Sequence, residues 1–167
     1  TTALDLSGER YPYDTSTLDT GCAKLLAAEF AAGRCTSSVT TLILHSNSLL
    51  GDAGLTAIVD ALPPDVSLQP NFQRCGLKHV TTQLLERVSS ATSIDLSEND
   101  IDHLPWKMLT LTNLTRLDLK HNDRLRTVNE INEQAGVSGV FRYLRDLYHD
   151  EPTWSYSLKI VLAGPSM

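Results

Sequence analysis

The chain has little of what most small-protein chemistry requires. Three cysteines stand among 167 residues, Cys22, Cys35 and Cys75, an odd number with no CxxC spacing. That argues against a disulfide framework or a cysteine zinc site and fits reduced thiols in a cytosolic protein. Lysine and arginine number 14 against 20 acidic residues, a net charge of −6, and the cations are scattered. A surface that tracks nucleic-acid phosphates needs them clustered, so no nucleic-acid partner is expected. No apolar run approaches the roughly 18 residues of a membrane span, and no basic-then-apolar leader opens the chain. A soluble, cytoplasmic location is therefore expected. The histidines, His45, His79, His103, His121 and His149, share no metal spacing, so surface or turn roles are expected for them. Ser/His/Asp order, paired catalytic carboxylates and HExxH are all missing, which leaves no catalytic, metal or cofactor site to assign. Asp19, Asp52 and Asp60 read as helix caps or solvated carboxylates.

Leucine is what the chain has in excess, with 27 copies. They recur on the template L-x-x-L-x-L-x-x-N/C-x-L. Val39, Leu42, Leu44, Asn47 and Leu49 form one copy, and Ala91, Ile94, Leu96, Asn99 and Ile101 a second. Leu114, Leu117, Leu119 and Asn122 form a third, which reaches Leu125 after one extra residue. Two copies are degenerate. One runs from Thr1 through Leu4 and Leu6 to Glu9 and Tyr11; the other runs from Ser67 through Pro70 and Phe72 to Cys75 and Leu77. The ladder positions Glu9, Asn47, Cys75, Asn99 and Asn122 are separated by 38, 28, 24 and 23 residues. In L-x-L the period is two, so leucines face inward on a short strand and the intervening residues face solvent. The Asn side chain serves backbone groups at the turn that no ladder reaches. Stacking such units in parallel buries a core that no single unit buries alone. The expected fold class is therefore α/β, a leucine-rich-repeat solenoid with strands on the concave face and helices or extended turns on the convex face.

Helices are expected between the strands. Cys22, Leu25, Leu26 and Phe30 are helically spaced over residues 21–32. Leu55, Ile58, Val59 and Leu62 form a stripe behind Asp52, which reads as its cap, before Pro63 and Pro64 stop it. Val80, Leu84 and Val88 suggest a third helix over about 78–89, and Pro105 shortens the fourth connection. Val137, Val140, Phe141, Leu144, Leu147 and Tyr148 share one helical face, so 137–149 is expected to cap the end of the core. The expected division is repeats over 1–136, cap helix over 137–149, and a linker and strand over 150–167. Thr1 falls inside a repeat, and both ends read as cut.

The segment Leu158-Lys-Ile-Val-Leu-Ala-Gly164 is an apolar strand running into a glycine, which is how a phosphate loop begins. Repeats, a short helix carrying Phe141-Arg-Tyr-Leu-Arg-Asp146, a linker with Trp154 and this strand together resemble the leucine-rich-repeat to Roc junction of Roco proteins, a family that includes the leucine-rich repeat kinases. The resemblance implies a downstream Ras-like GTPase using GTP and Mg, a dimerising COR domain that would make the parent a homodimer, and sometimes a kinase. Of the phosphate loop only Gly164 is in the chain, so no nucleotide ligand is carried over. The helical form of the early repeats departs from the family and looks more like ribonuclease-inhibitor repeats.

Candidate partner-binding residues come from the expected concave columns: Ile43, Asn71, Asp95 and Asp118 in one, His45, Gln73 and Lys120 beside it, with Arg116 flanking. Asp5, Ser7 and Ser97 complete these columns. They form either a binding strip with an acidic spine or a solvated face on which Arg116, Asp118 and Lys120 pair. The expected partner is a protein or the parent's own catalytic domains. An enzyme inhibitor of the ribonuclease-inhibitor kind and a stand-alone leucine-rich-repeat adaptor are the alternatives. An innate-immune sensor fits less well, because its nucleotide domain normally precedes the repeats. Asn99 is expected to matter to stability and Glu98, taken as an exposed neighbour, is not.

Overall fold

A computed structural model describes residues 2–8, 18–34 and 39–149. Glu9, Tyr11, Cys35, Trp154, Gly164 and the expected strand at 158–162 lie outside the described residues. Among the described residues five short strands alternate with helices: β1 (Thr2–Asp5), α1 (Thr20–Ala31), β2 (Val39–Ile43), α2 (Gly51–Ala61), β3 (Ser67–Leu68), α3 (Thr82–Arg87), β4 (Ser93–Asp95), β5 (Arg116–Asp118) and α4 (Arg126–His149). A 3₁₀ segment, Trp106–Thr110, stands between β4 and β5, and another, Asp123–Leu125, precedes α4. The strands pair in chain order and in parallel, β1-β2-β3 in one sheet and β4-β5 in a second. A single parallel bridge, Asn71 with Asp95, joins the two sheets.

The break between the sheets has a cause in the sequence. Proline has no N–H to donate, so Pro70 interrupts the ladder where β3 would continue. Register shows a second effect. Leu42 is paired with Leu68, not with Pro70, whereas Ser46 N–H donates to Gln73 O at 2.8 Å. From Leu42 to Ser46 is four residues, and from Leu68 to Arg74, opposite Ser46, is six; the unit therefore carries two extra residues around Pro70. The alignment that put Pro70 on the second leucine position is corrected accordingly. Leu68 fills that place beside Leu42, and both are buried.

The inward residues make one continuous core. Leu42, Leu44, Phe72, Leu77, Leu96, Ile101 and Leu119 are fully enclosed. In the Asn47 unit the enclosed last position is Leu50, while Leu49 is 63% exposed, so this turn carries the same extra residue as the one ending at Leu125. The helices contribute one face each. Asp19 caps α1 by accepting from Cys22 N–H at 2.7 Å, which also holds its carboxyl below the usual range. The buried face of α1 is Ala23, Ala27 and Phe30; Cys22 and Leu25, expected inside, are exposed. Small residues win that face because α1 lies against α2. On α2 the stripe Leu55, Ile58 and Val59 is buried as the spacing predicts.

The helix expected over 137–149 starts directly after Gly136, and a helical stretch from Arg126 that the sequence did not suggest precedes it within α4. α4 breaks at Gly136, whose φ of 62° and ψ of −163° only glycine adopts readily. The second half buries Val137, Val140 and Leu144, leaving Leu147 exposed. The first half runs beside β5, where Asn132 Nδ2 donates to Leu117 O at 2.7 Å. That bond satisfies a carbonyl on β5, beside which no further strand pairs among the described residues.

Candidate binding face

Behind each of β2 to β5 a side chain closes the turn and ties it to the preceding unit. Asn47 Nδ2 donates to Leu44 O at 2.7 Å and to Leu6 O at 2.8 Å, and its Oδ1 accepts from Leu18 N–H at 2.7 Å. Asn99 Nδ2 donates to Leu96 O and Phe72 O, both at 2.9 Å, and Oδ1 accepts from Cys75 and Leu77 N–H at 3.0 Å. Asn122 repeats the arrangement with Leu119 O, Leu96 O and Ile101 N–H. Cys75 holds only part of it: its thiol donates to Leu44 O at 3.3 Å. Burial pushes that thiol up to about 11.

The residue before each ladder position has left-handed backbone: Ser46 at φ 63°, Arg74 at 51°, Glu98 at 55° and His121 at 58°. None is glycine, and such a conformation costs on the order of 1 kcal/mol at each. The carbonyl ahead of it is thereby turned toward the ladder side chain.

The outward columns are locally bonded. In the first, Oδ1 of Asp5, Asn71, Asp95 and Asp118 accepts from the backbone N–H two residues on, Ser7, Gln73, Ser97 and Lys120, at 2.9 to 3.1 Å. The acidic spine is thus a row of strand-end turns that hold each side chain in place. Ile43, without an acceptor, is half-buried in the same column. Among the described residues no ion pair joins Arg116, Asp118 and Lys120; Asp118 accepts from the Lys120 backbone N–H. Beside them, His45 Nδ1 lies 3.3 Å from Ser46 Oγ.

Gln73 Nε2 donates to Glu98 Oε1 at 2.7 Å, and the Arg74 guanidinium binds Glu98 Oε2. Glu98 therefore joins two units, and these bonds, Arg74 first and then Gln73, hold its carboxyl below the usual range. Its expected role as an inert neighbour is corrected. Nothing in the sequence singles it out, because the partners lie 24 and 25 residues away.

Asp95, Arg116 and Asp118 line a cleft of about 250 Å³ closed on its far side by Asn132, Gly136 and Val137 of α4. Sequence reasoning singled out these three of the six strand residues in its lining and missed the three from the helix.

On the side of the connections, Asp52 does not cap its own helix. Its Oδ1 accepts from Lys78 N–H at 2.9 Å and its Oδ2 meets His79 Nδ1 at 2.7 Å. His79 Nε2 lies 3.7 Å from Asp102 Oδ2, and Asp102 Oδ1 contacts His103 Nδ1. Burial raises the Asp102 carboxyl, but His103 and His79 together hold it below the usual range. Among the described residues no three His, Cys, Asp or Glu side chains are grouped to hold a metal ion. None of the described helices is long and apolar enough to cross a membrane.

Compared with known proteins, the chain matches no family model, no curated protein and no solved structure.

Proposed function

We propose that the chain is part of a leucine-rich-repeat solenoid that serves as a protein-binding scaffold, with the outward columns as the contact surface. The observation that carries this reading is the ladder of Asn47, Cys75, Asn99 and Asn122, which binds each unit to the one before it. Behind the ladder, parallel strands present side chains that their own turns already hold in place. A surface whose rotamers are fixed before contact loses less entropy when it binds. On this reading the chain has no enzymatic step of its own and acts in the cytoplasm by recruiting or occluding another protein. The C-terminal composition supports a Roco-type parent, in which GTP and Mg belong to the domain that follows. The helical connections α1 and α2 favour a second reading, an inhibitor or adaptor of the ribonuclease-inhibitor type.

The test is binding of the purified chain to the remaining domains of its parent, followed by titration calorimetry. The double substitution Arg116→Glu with Asp118→Lys is expected to weaken the complex at least tenfold. Substitution of Leu25, exposed on α1, by Glu is expected to leave it unchanged. The reverse pattern would place the contact on the helices and overturn the proposal.

A further inference from the structure

The cleft of about 250 Å³ has the outward face of β4 and β5 as one wall and the bend of α4 at Gly136 as the other. Small-molecule sites generally run from about 300 to 1,000 Å³. A smaller, open space suits a side chain or two of a bound protein. Asp95 and Asp118 stand side by side in register, about 4.8 Å apart at the backbone, and their like charges repel. Each commits Oδ1 to its strand-end turn. Among the described residues, Oδ2 of each takes part in no hydrogen bond or ion pair.

The turns do not require those charges. Asn71, in the same column, makes the same turn with a neutral amide, its Oδ1 accepting from Gln73 N–H at 3.0 Å. Across the cleft, Asn132 commits Nδ2 to Leu117 O, and its Oδ1 has no hydrogen-bond partner among the described residues. Three acceptor oxygens, two of them charged, thus line the cleft unused. The cation in the lining is Arg116, exposed and two residues before Asp118 on the same face, about 7 Å along the strand. Among the described residues it pairs with neither carboxylate, so the cleft has one negative end and one positive end.

We propose that the cleft takes an arginine side chain from an extended segment of the bound protein, with a carboxylate two residues away in that segment set against Arg116. A guanidinium holds five N–H donors in one plane, enough for Asp95, Asp118 and Asn132 together, where an ammonium has three. In an extended chain, residues two apart face the same way about 7 Å from each other, which matches the spacing of Asp118 and Arg116. The proposal rests on the outward columns being the contact surface and names the chemistry that surface selects.

The probe is the peptide acetyl-Arg-Ala-Glu-amide, titrated into the full chain and followed by the backbone amide resonances. Saturable shifts are expected at Asp95, Asp118, Asn132 and Gly136. Citrulline, the neutral isostere, in place of the peptide's arginine is expected to weaken binding about fivefold or more. Glutamine in place of its glutamate is expected to weaken binding about twofold, a difference that disappears in Arg116→Ala. Asp95→Asn and Asp118→Asn keep the turn bond, so each is expected to bind several-fold more weakly and to melt no lower than the parent chain. Equal binding of the arginine and citrulline peptides to the unaltered chain would overturn the proposal, a result that stands even if the variants unfold. So would lower melting of both Asn variants, because the charges would then serve the fold. Peptide binding without binding of the parent's domains would leave the cleft assigned and remove only that choice of partner.

Discussion

At the scale of single residues, Cys75 shows most clearly how environment changes chemistry. It occupies a ladder position with a thiol in place of an amide, fully enclosed, and burial raises it from an ordinary 9.0 to about 11. The native state thus favours the protonated form. The stabilisation is complete below about pH 9 and is lost as pH rises toward 11, a change on the order of 2–3 kcal/mol over that window. Urea melts near pH 8.5 and 10.5 are expected to show a pH-dependent loss about 2 kcal/mol smaller in Cys75→Ala than in the parent chain, the difference isolating the thiol from other groups that titrate there. Exposed Cys22 is expected to react with a thiol reagent in the folded protein while Cys75 stays protected. The burial of Cys75 was legible in the sequence, because the template assigns its position. Glu98 was not, since its partners are neighbours only after the units stack.

At the scale of elements, the strands followed from a period of two, and α2 followed from a stripe ended by two prolines. The readings that went astray each involved a competing rule. On α1 hydrophobicity pointed to Cys22 and Leu25, but packing against a neighbouring helix selected Ala23 and Ala27. The first half of α4 has few apolar residues; only Val128 and Ile131 pack toward the core, so its periodicity was too faint to read. Turns offer a sharper test. Gly76 has φ of +68°, and a Cβ there would lie 2.3 Å from Ser48 O. Gly33 has φ of +70° with nothing within 4 Å. Gly33→Ala is therefore expected to cost about 1 kcal/mol, for backbone strain alone. Gly76→Ala adds a collision with main chain and is expected to cost roughly 2–4 kcal/mol. Equal losses in thermal melts would mean that the Gly76 turn moves freely away from Ser48.

At the scale of the whole molecule, stability is shared through side chains that each serve two units. Asn99 makes bonds in its own unit and in the one before, so Asn99→Ala leaves buried groups unpaired in both. The expected loss is roughly 1–3 kcal/mol. Hydrogen exchange should quicken at Cys75 and Leu77 as well as around Leu96. Glu98→Ala removes a part-buried bond to Gln73 and an exposed one to Arg74 and is expected to cost less than Asn99→Ala. Confinement of the exchange effect to residues 93–101 would show that the units are energetically separate. The unit-to-unit stacking was legible from the spacing of the ladder residues; the cleft under α4 was not, because Asn132 and Gly136 stand at no template position.

The Pro70 junction has a mechanical consequence. Drawn apart from its two ends, a row of parallel strands is loaded one seam at a time, and each seam resists according to the bonds that cross it. Most adjacent strands share a longer paired register, but β3 and β4 share one bridge, with backbone bonds from Phe72, Arg74, Asp95 and Asp100 N–H and the side chains of Asn99 and Glu98 as the ties. Tension would therefore open the molecule in the middle, into a half carrying α1 and α2 and a half carrying α4. The same seam is the place where the chain bends most cheaply, so the angle between the two halves can yield to a bound protein without loss of either core.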